Sequence, residues 1–229
     1  MNESGMIQPT WQKGDITLYL GDCMDILPHL SGVDAVITDP PYGINIGGAK
    51  SIGGAGEMYE ATEYGKHEWD KSGLTYEQYL EIRKTAQHFI IWGWNHLADV
   101  IGKSHGCLVW DKKCQNGWND TFSDAEIAAT NTINNTKAYR HLWVGALRKS
   151  GKDEKKRHHP TQKPVLVMAW CIEFVPKAEI ICDPFMGSGT TGIACIRSGR
   201  KFIGIEKDPK YFEIARDRIE KELAQLRLF

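Results

Sequence analysis

Residues 179–209 read EIICDPFMGSGTTGIACIRSGRKFIGIEKDP, two apolar strand-like runs separated by a glycine turn and a helical segment. The first run, EIICD (179–183), stops at Asp183, and the second, KFIGIE (201–206), stops at Glu206. Between them Gly187 and Gly189 permit a tight strand-to-helix turn and close approach of a ligand to the backbone, and a helix is expected over 189–198. Strand, glycine turn, helix and a second strand ending on an acid make one unit of an open α/β sheet. The stretch formally contains GxGxxG, which alone is a weak sign of a dinucleotide site and is met equally by a plain structural turn. It is not a phosphate-binding Walker loop, because no lysine precedes Thr190.

The same alternation extends towards the N-terminus. ITLYL (16–20), DAVITD (34–39), HFIIWG (88–93) and CLVW (107–110) are further strand candidates, and helices are expected over 75–87, 94–103, 164–175 and 209–225. The last helix is well marked: Asp208 suits the N-cap, Pro209 the first helical position, and Phe212, Ala215, Ile219 and Leu223 recur along one face. The expected fold class is α/β, a mostly parallel sheet with helices on both faces, in a single domain spanning 1–229. A chain of 229 residues suffices for one such core.

Composition excludes several classes. No apolar run approaches the ~20 residues of a membrane span, and MNESGMIQPTWQKGD lacks the basic-then-apolar order of a signal peptide, so a cytoplasmic location is expected. The six cysteines are scattered with no CxxC pair, which argues against a disulfide framework or a zinc site. His158 and His159 are adjacent, a poor arrangement for two ligands on one metal, and no metal is expected. The net charge of −1 does not announce a polyanion partner. Locally, however, Arg148, Lys149, Lys152, Lys155, Lys156 and Arg157 face only Asp153 and Glu154. Such a cluster suits phosphates, although a charge run alone is first of all a solvated loop.

Two stretches interrupt the alternation. Residues 43–73 carry eight glycines and no convincing element, a length of loop that in compact domains often serves as a lid. Residues 111–158 are polar, with WND, NTINNT and the basic cluster, and are the natural place for a short inserted recognition segment.

The strongest chemical signal is Asp39-Pro40-Pro41-Tyr42, at the carboxyl end of the run AVIT. Two consecutive prolines fix φ twice and remove two backbone donors, leaving carbonyls in fixed positions as acceptors. A carboxylate and a carbonyl beside an aromatic face suit a planar group bearing NH₂. The lone pair of such an amine is delocalised into its ring. Accepting hydrogen bonds from both N–H groups returns density to nitrogen and aims it at a methyl donor held in line, with no covalent enzyme nucleophile. Alone, the motif is equally a rigid turn.

Taken together, DPPY, then His159-Pro160-Thr161-Gln162-Lys163-Pro164, then DPFMGSGTT with a downstream Glu206, resemble the β class of amino-group DNA methyltransferases. The order of catalytic motif, recognition region and cofactor-binding half also matches, and the resemblance covers the chain from Asp22 to about Leu223. It implies a Rossmann-like fold dependent on S-adenosylmethionine (SAM), with double-stranded DNA as partner; a homodimer is left open.

The resemblance also implies roles. Asp39 and the Pro40 carbonyl, with Pro41 stiffening the turn, accept from the target amine, and Tyr42 stacks on a base flipped out of the duplex. Phe185, Gly187, Ser188, Gly189 and Thr190 line the cofactor pocket, with Asp183 at its floor and Glu206 on the ribose. Thr161, Gln162 and Lys163 lie near the methionine end, and Asp22 near the adenine. DPPY usually accompanies adenine N6 and SPPY cytosine N4, a correlation that leaves N4 open. Arg140, Arg148, Lys149, Lys155, Lys156 and Arg157 are candidate DNA contacts, and Trp69 in the glycine-rich loop is either a wedge or an ordinary packed residue. A nicotinamide-dependent oxidoreductase leaves DPPY and HPTQKP unexplained, and a non-catalytic DNA-binding module has no need for both motifs. An RNA or protein methyltransferase is the nearest rival.

Overall fold

The structure is a computed structural model that describes residues 7–44, 73–114, 123–144, 147–148 and 162–226. Five consecutive strands form its parallel centre, in the order β2 (Ile16–Leu20), β11 (Lys201–Glu206), β10 (Ile180–Asp183), β3 (Ala35–Thr38) and β4 (His88–Trp92). β1 (Trp11–Lys13) closes one edge antiparallel to β2. Beyond β4 the sheet continues through β6 (Ala125–Thr130), β5 (Gly106–Asp111) and β7 (Thr136–Arg140), β6 running antiparallel to both neighbours. β8 (Trp143–Val144) and β9 (Leu147–Arg148) form a separate two-stranded ribbon.

Side-chain alternation explains why the central strands read as unbroken apolar runs: both faces are covered. Ala35, Ile37, Ile90, Trp92, Ile181 and Phe202 face one core, shared with α4 (Val165–Ile172), α5 (Thr190–Arg197) and α6 (Pro209–Leu226). Val36, Phe89, Ile91, Cys182 and Ile205 face the other, under α1 (Cys23–Ile26), α2 (Tyr76–Thr85) and α3 (Trp94–Ile101). Helix starts follow local chemistry. Asp208 Oδ1 accepts from the Lys210 N–H at 2.8 Å as N-cap of α6, and Thr75 with Gln78 forms a reciprocal capping box on α2. Phe212, Ala215 and Ile219 are buried along α6, as their spacing predicts. Among the described residues no helix is long and apolar enough to cross a membrane.

All six expected strands and five expected helices are present, with ends moved by at most three residues. Within 111–158, expected as an inserted recognition segment, 125–130 and 136–140 are strands of the main sheet. Most of the expected lid (45–72), including Trp69, lies outside the described residues, as do 115–122 and 149–161.

Candidate active site

β10 lies between β11 and β3. From β10 the chain crosses through α5 to β11, whereas β3 leads through α2 to β4 on the opposite side. Connections leaving two adjacent strands in opposite directions open a crevice at their carboxyl ends, where open α/β sheets bind ligands. Here a cavity of about 630 Å³ is lined by both sequence motifs, within the range of small-molecule and cofactor pockets.

Asp183 ties the two motifs together. Its Oδ1 accepts from Thr38 Oγ1 at 2.6 Å and from the Phe185 N–H at 3.1 Å, and its Oδ2 accepts from Thr191 Oγ1 at 2.6 Å. Burial pushes its carboxyl up to about 6, against the opposing pull of these donors. Gly189, at φ +78°, starts α5 in the left-handed region. A Cβ there would press on Ala215 of α6 at 3.0 Å, so the turn and α6 pack backbone to helix. Arg218 of α6 braces the same turn: its Nη1 donates to the Ser188 carbonyl and, at 2.9 Å, to Ser188 Oγ, and approaches Thr190 Oγ1 at 3.5 Å.

Glu206, at the end of the neighbouring β11, lines the cavity beside the glycine turn. Its Oε2 accepts from the Gly187 N–H at 2.9 Å and its Oε1 from the Asp208 N–H at 2.8 Å. Each oxygen keeps a second lone pair for a ligand hydroxyl. Burial pushes this carboxyl up to about 7, the two N–H donors opposing and the charges of Asp208 and Asp183 adding to the rise. Gly21 N–H bonds the Glu206 carbonyl at 3.0 Å, which brings Asp22 to the same rim. There Asp22 caps α1 through Met24 N–H at 3.0 Å and lies 3.8 Å from Lys207 Nζ.

At the other end stands DPPY. Asp39 Oδ1 accepts from the Tyr42 hydroxyl and from Lys163 Nζ at 2.5 Å. Both contacts fall on one oxygen; Oδ2 has no partner among the described residues, and Asp39 lines the cavity. The two carbonyls of the proline pair divide similarly. That of Pro41 accepts from Leu74 N–H at 3.1 Å, while that of Pro40 accepts nothing from the described residues. The site thus holds two unengaged acceptors on neighbouring residues. Tyr42 stacks on His96 with centroids 5.3 Å apart and planes at 19°. Gly93, at φ +80°, lies directly against the Tyr42 ring, and a Cβ at this position would enter the ring.

Of the expected cofactor set, Gln162, Phe185, Gly187, Ser188, Thr190 and Asp22 line the cavity with Glu206 and Asp183, whereas Gly189 does not and packs against Ala215 of α6 instead. Lys163 lines it too, and its ammonium is on Asp39, Glu126 Oε2 (2.9 Å) and the Tyr42 hydroxyl (3.0 Å). Thr161, Lys149, Lys155, Lys156 and Arg157 lie outside the described residues, as does the Arg148 side chain. Arg140, at the end of β7, pairs with Asp111 at 3.6 Å and is largely exposed. Sequence reasoning missed Glu126, Lys112, Gly93, His96 and Arg218. For Glu126 a signal existed: it directly precedes the apolar run IAA (127–129).

Comparison with known proteins gives concordant findings. The DNA methylase family, of N6 and N4 type, matches residues 64–217, more than half the chain, from beyond Tyr42 through the glycine turn and Glu206. The type II methyltransferase M2.DpnII of Streptococcus pneumoniae is 29% identical, over 95% of this chain and 94% of its own. The crystal structure of the M1.HpyAVI-SAM complex superposes with a TM-score of 0.57 at 23% identity, covering 89% of this chain and 98% of that one. The cytosine-N4-specific PvuII DNA methyltransferase gives 0.58 at 16% identity, covering 96% and 94%. These two structures share the fold.

Proposed function

The chain belongs to the DNA methylase family, and on that premise we propose that it transfers a methyl group from SAM to the exocyclic amino group of a flipped DNA base, adenine N6 in the first place. One observation carries the assignment: Asp39 and Pro40 both line the cavity, and Asp39 Oδ2 and the Pro40 carbonyl accept nothing from the described residues. An exocyclic amine has two N–H donors for two such acceptors.

The residues present fit the cofactor. Glu206 offers a lone pair on each oxygen to the two ribose hydroxyls, the Gly187–Gly189 turn admits close backbone approach, and Phe185 supplies an apolar wall. When bound, SAM supplies an electrophilic methyl on a sulfonium. The protein's part is orientation. Asp39 Oδ2 and the Pro40 carbonyl take the two N–H bonds, return electron density to nitrogen and aim its lone pair into the cavity. Nitrogen would gain the bond to carbon that sulfur gives up, sulfur keeping the electron pair as a neutral thioether, and the proton nitrogen must then lose is the one already pointed at Asp39. Tyr42, backed by Gly93 and His96, offers its ring to the base.

The assay is incubation with labelled SAM and unmethylated duplex DNA, digestion to nucleosides and identification of the labelled base. N6-methyladenine is expected. Label on N4-methylcytosine would keep the mechanism and change the base, since cytosine presents the same amine. No label on DNA, with cofactor binding demonstrated, would overturn the assignment in favour of another substrate class.

Gly93 gives an independent check. Gly93→Ala should push the Tyr42 ring from its seat and strain a left-handed position. Loss of base stacking corresponds to roughly 1–3 kcal/mol, read as a fall in kcat/KM for DNA with the Kd for SAM unchanged. An unaltered kcat/KM would remove Tyr42 from the base-binding role.

A further inference from the structure

Lys163 Nζ meets three acceptors: Asp39 Oδ1 at 2.5 Å, Glu126 Oε2 at 2.9 Å and the Tyr42 hydroxyl at 3.0 Å. An ammonium has three protons, so this donor is saturated, and its side chain is 4% exposed. The other oxygen of Glu126 takes Lys112 Nζ at 2.8 Å. Four groups of alternating sign therefore run in series away from the cavity: Asp39, Lys163, Glu126 and Lys112. They come from the end of β3, the segment before α4, β6 and the end of β5. The ring of Trp92 lies beneath, 5.5 Å from Lys163 Nζ.

We propose that Glu126 is a positioning residue for methyl transfer, anchoring the Lys163 ammonium against Asp39 and Tyr42 so that the Asp39 carboxylate is held in one orientation with its second oxygen free. This rests on the function proposed above and adds to it a residue outside the sequence motifs. A lysine on a four-carbon stem held only by Asp39 and Tyr42, both on one turn, is free to swing with that turn or into the cavity. A second carboxylate, itself fixed by Lys112, removes that freedom.

The charges make the arrangement testable. Asp39 is faced by Lys163 from the segment before α4, Tyr42 from its own turn, Glu126 from β6 with Lys112 behind it, and Asp183 from β10. Burial raises its carboxyl, the Lys163 ammonium and Tyr42 hydroxyl oppose, and the Glu126 charge adds to the rise. Burial also pushes Glu126 up, but Lys163 and Lys112 reverse this and hold it down at about 2. Protonated, Asp39 would lose the acceptor that the amine requires. Removing the Lys163 charge must therefore move the acid limb of turnover to higher pH, and removing the Glu126 charge must move it to lower pH.

The experiment measures kcat for duplex methylation, at saturating SAM and DNA, from pH 5.5 to 9 for wild type, Glu126→Gln, Lys163→Met and the double variant. Glutamine keeps the shape of Glu126 and an oxygen for Lys163. Glu126→Gln is expected to bind SAM within about twofold of wild type, to turn over about tenfold more slowly, and to show its acid limb at lower pH. Lys163→Met should move that limb up by about one unit or more and carries the test alone if Glu126→Gln does not fold. The double variant should be no slower than Lys163→Met, because Glu126 acts through Lys163. Additive losses, or a Lys163→Met limb at or below that of wild type, would overturn the proposal while wild-type labelling of DNA leaves the assigned function standing. A wild-type protein that labels no DNA overturns both.

Discussion

Asp39→Ala is expected to lower kcat by roughly 10²–10³-fold, the scale set by deleting one preorganised polar group from a reacting centre, while the Kd for SAM stays within about twofold. The separation follows from the geometry. Asp39 follows the end of β3 and lines the cavity there, whereas the groups proposed for the cofactor are on the glycine turn and on Glu206 at the end of β11. Asparagine should not rescue. Oδ1 accepts from both Tyr42 and Lys163, so in Asp39→Asn the amide oxygen would stay with those donors. Its nitrogen would be turned to the cavity, placing a donor against the incoming amine. Single-turnover methylation with saturating SAM, beside calorimetric binding of SAM, separates the two quantities. An equal loss of cofactor affinity would refute this division of roles.

Why some of the sheet is legible in the sequence and some is not has a packing explanation. β3, β4, β10 and β11 are covered on both faces, so their residues read as apolar runs that no helix period explains. β6 is just as central, yet its residues are small. Ala128 pairs with Trp92 on one side and lies in register with Leu108 on the other. The Trp92 and Trp110 rings meet edge to face at 6.4 Å over this strand. Bulk supplied by the neighbours leaves room only for alanine, and AEIAAT carries no strand signature of its own. β7 is an exposed edge, TKAYR, whose polar residues read as loop.

The site divides along the same line. Asp39, Tyr42, the glycine turn and Glu206 stand at strand ends within short local patterns, where residue type and position together imply chemistry. Glu126, Lys112 and His96 reach the site only through tertiary pairing, from strands and a helix start whose neighbours the chain order does not reveal. Lys163 falls between these cases. Its motif placed it in the right cavity, and the charge partners that decide which end it serves became visible only with β6 in place.

Glu206→Ala is expected to raise the Kd for SAM by roughly 10- to 150-fold, the equivalent of the ~1.5–3 kcal/mol of hydrogen bonds to a charged group, with the maximal rate at saturating SAM far less affected. Glutamine should be nearly as damaging. Both carboxylate oxygens already accept a backbone N–H, from Gly187 and Asp208, so a side-chain NH₂ in either position would face a donor. The same carboxyl gives cofactor binding a pH dependence of defined sign. The ribose hydroxyls donate, so SAM selects the ionised form, and burial pushes the free carboxyl up to about 7. The Kd should therefore be flat above that pH and rise below it, approaching about tenfold per unit, until the carboxyl of the bound form is protonated too. In Glu206→Ala the profile should be flat throughout. Calorimetry from pH 5.5 to 8.5 distinguishes the cases: a wild-type affinity that does not weaken on acidification would mean that the ribose hydroxyls do not rest on this carboxylate.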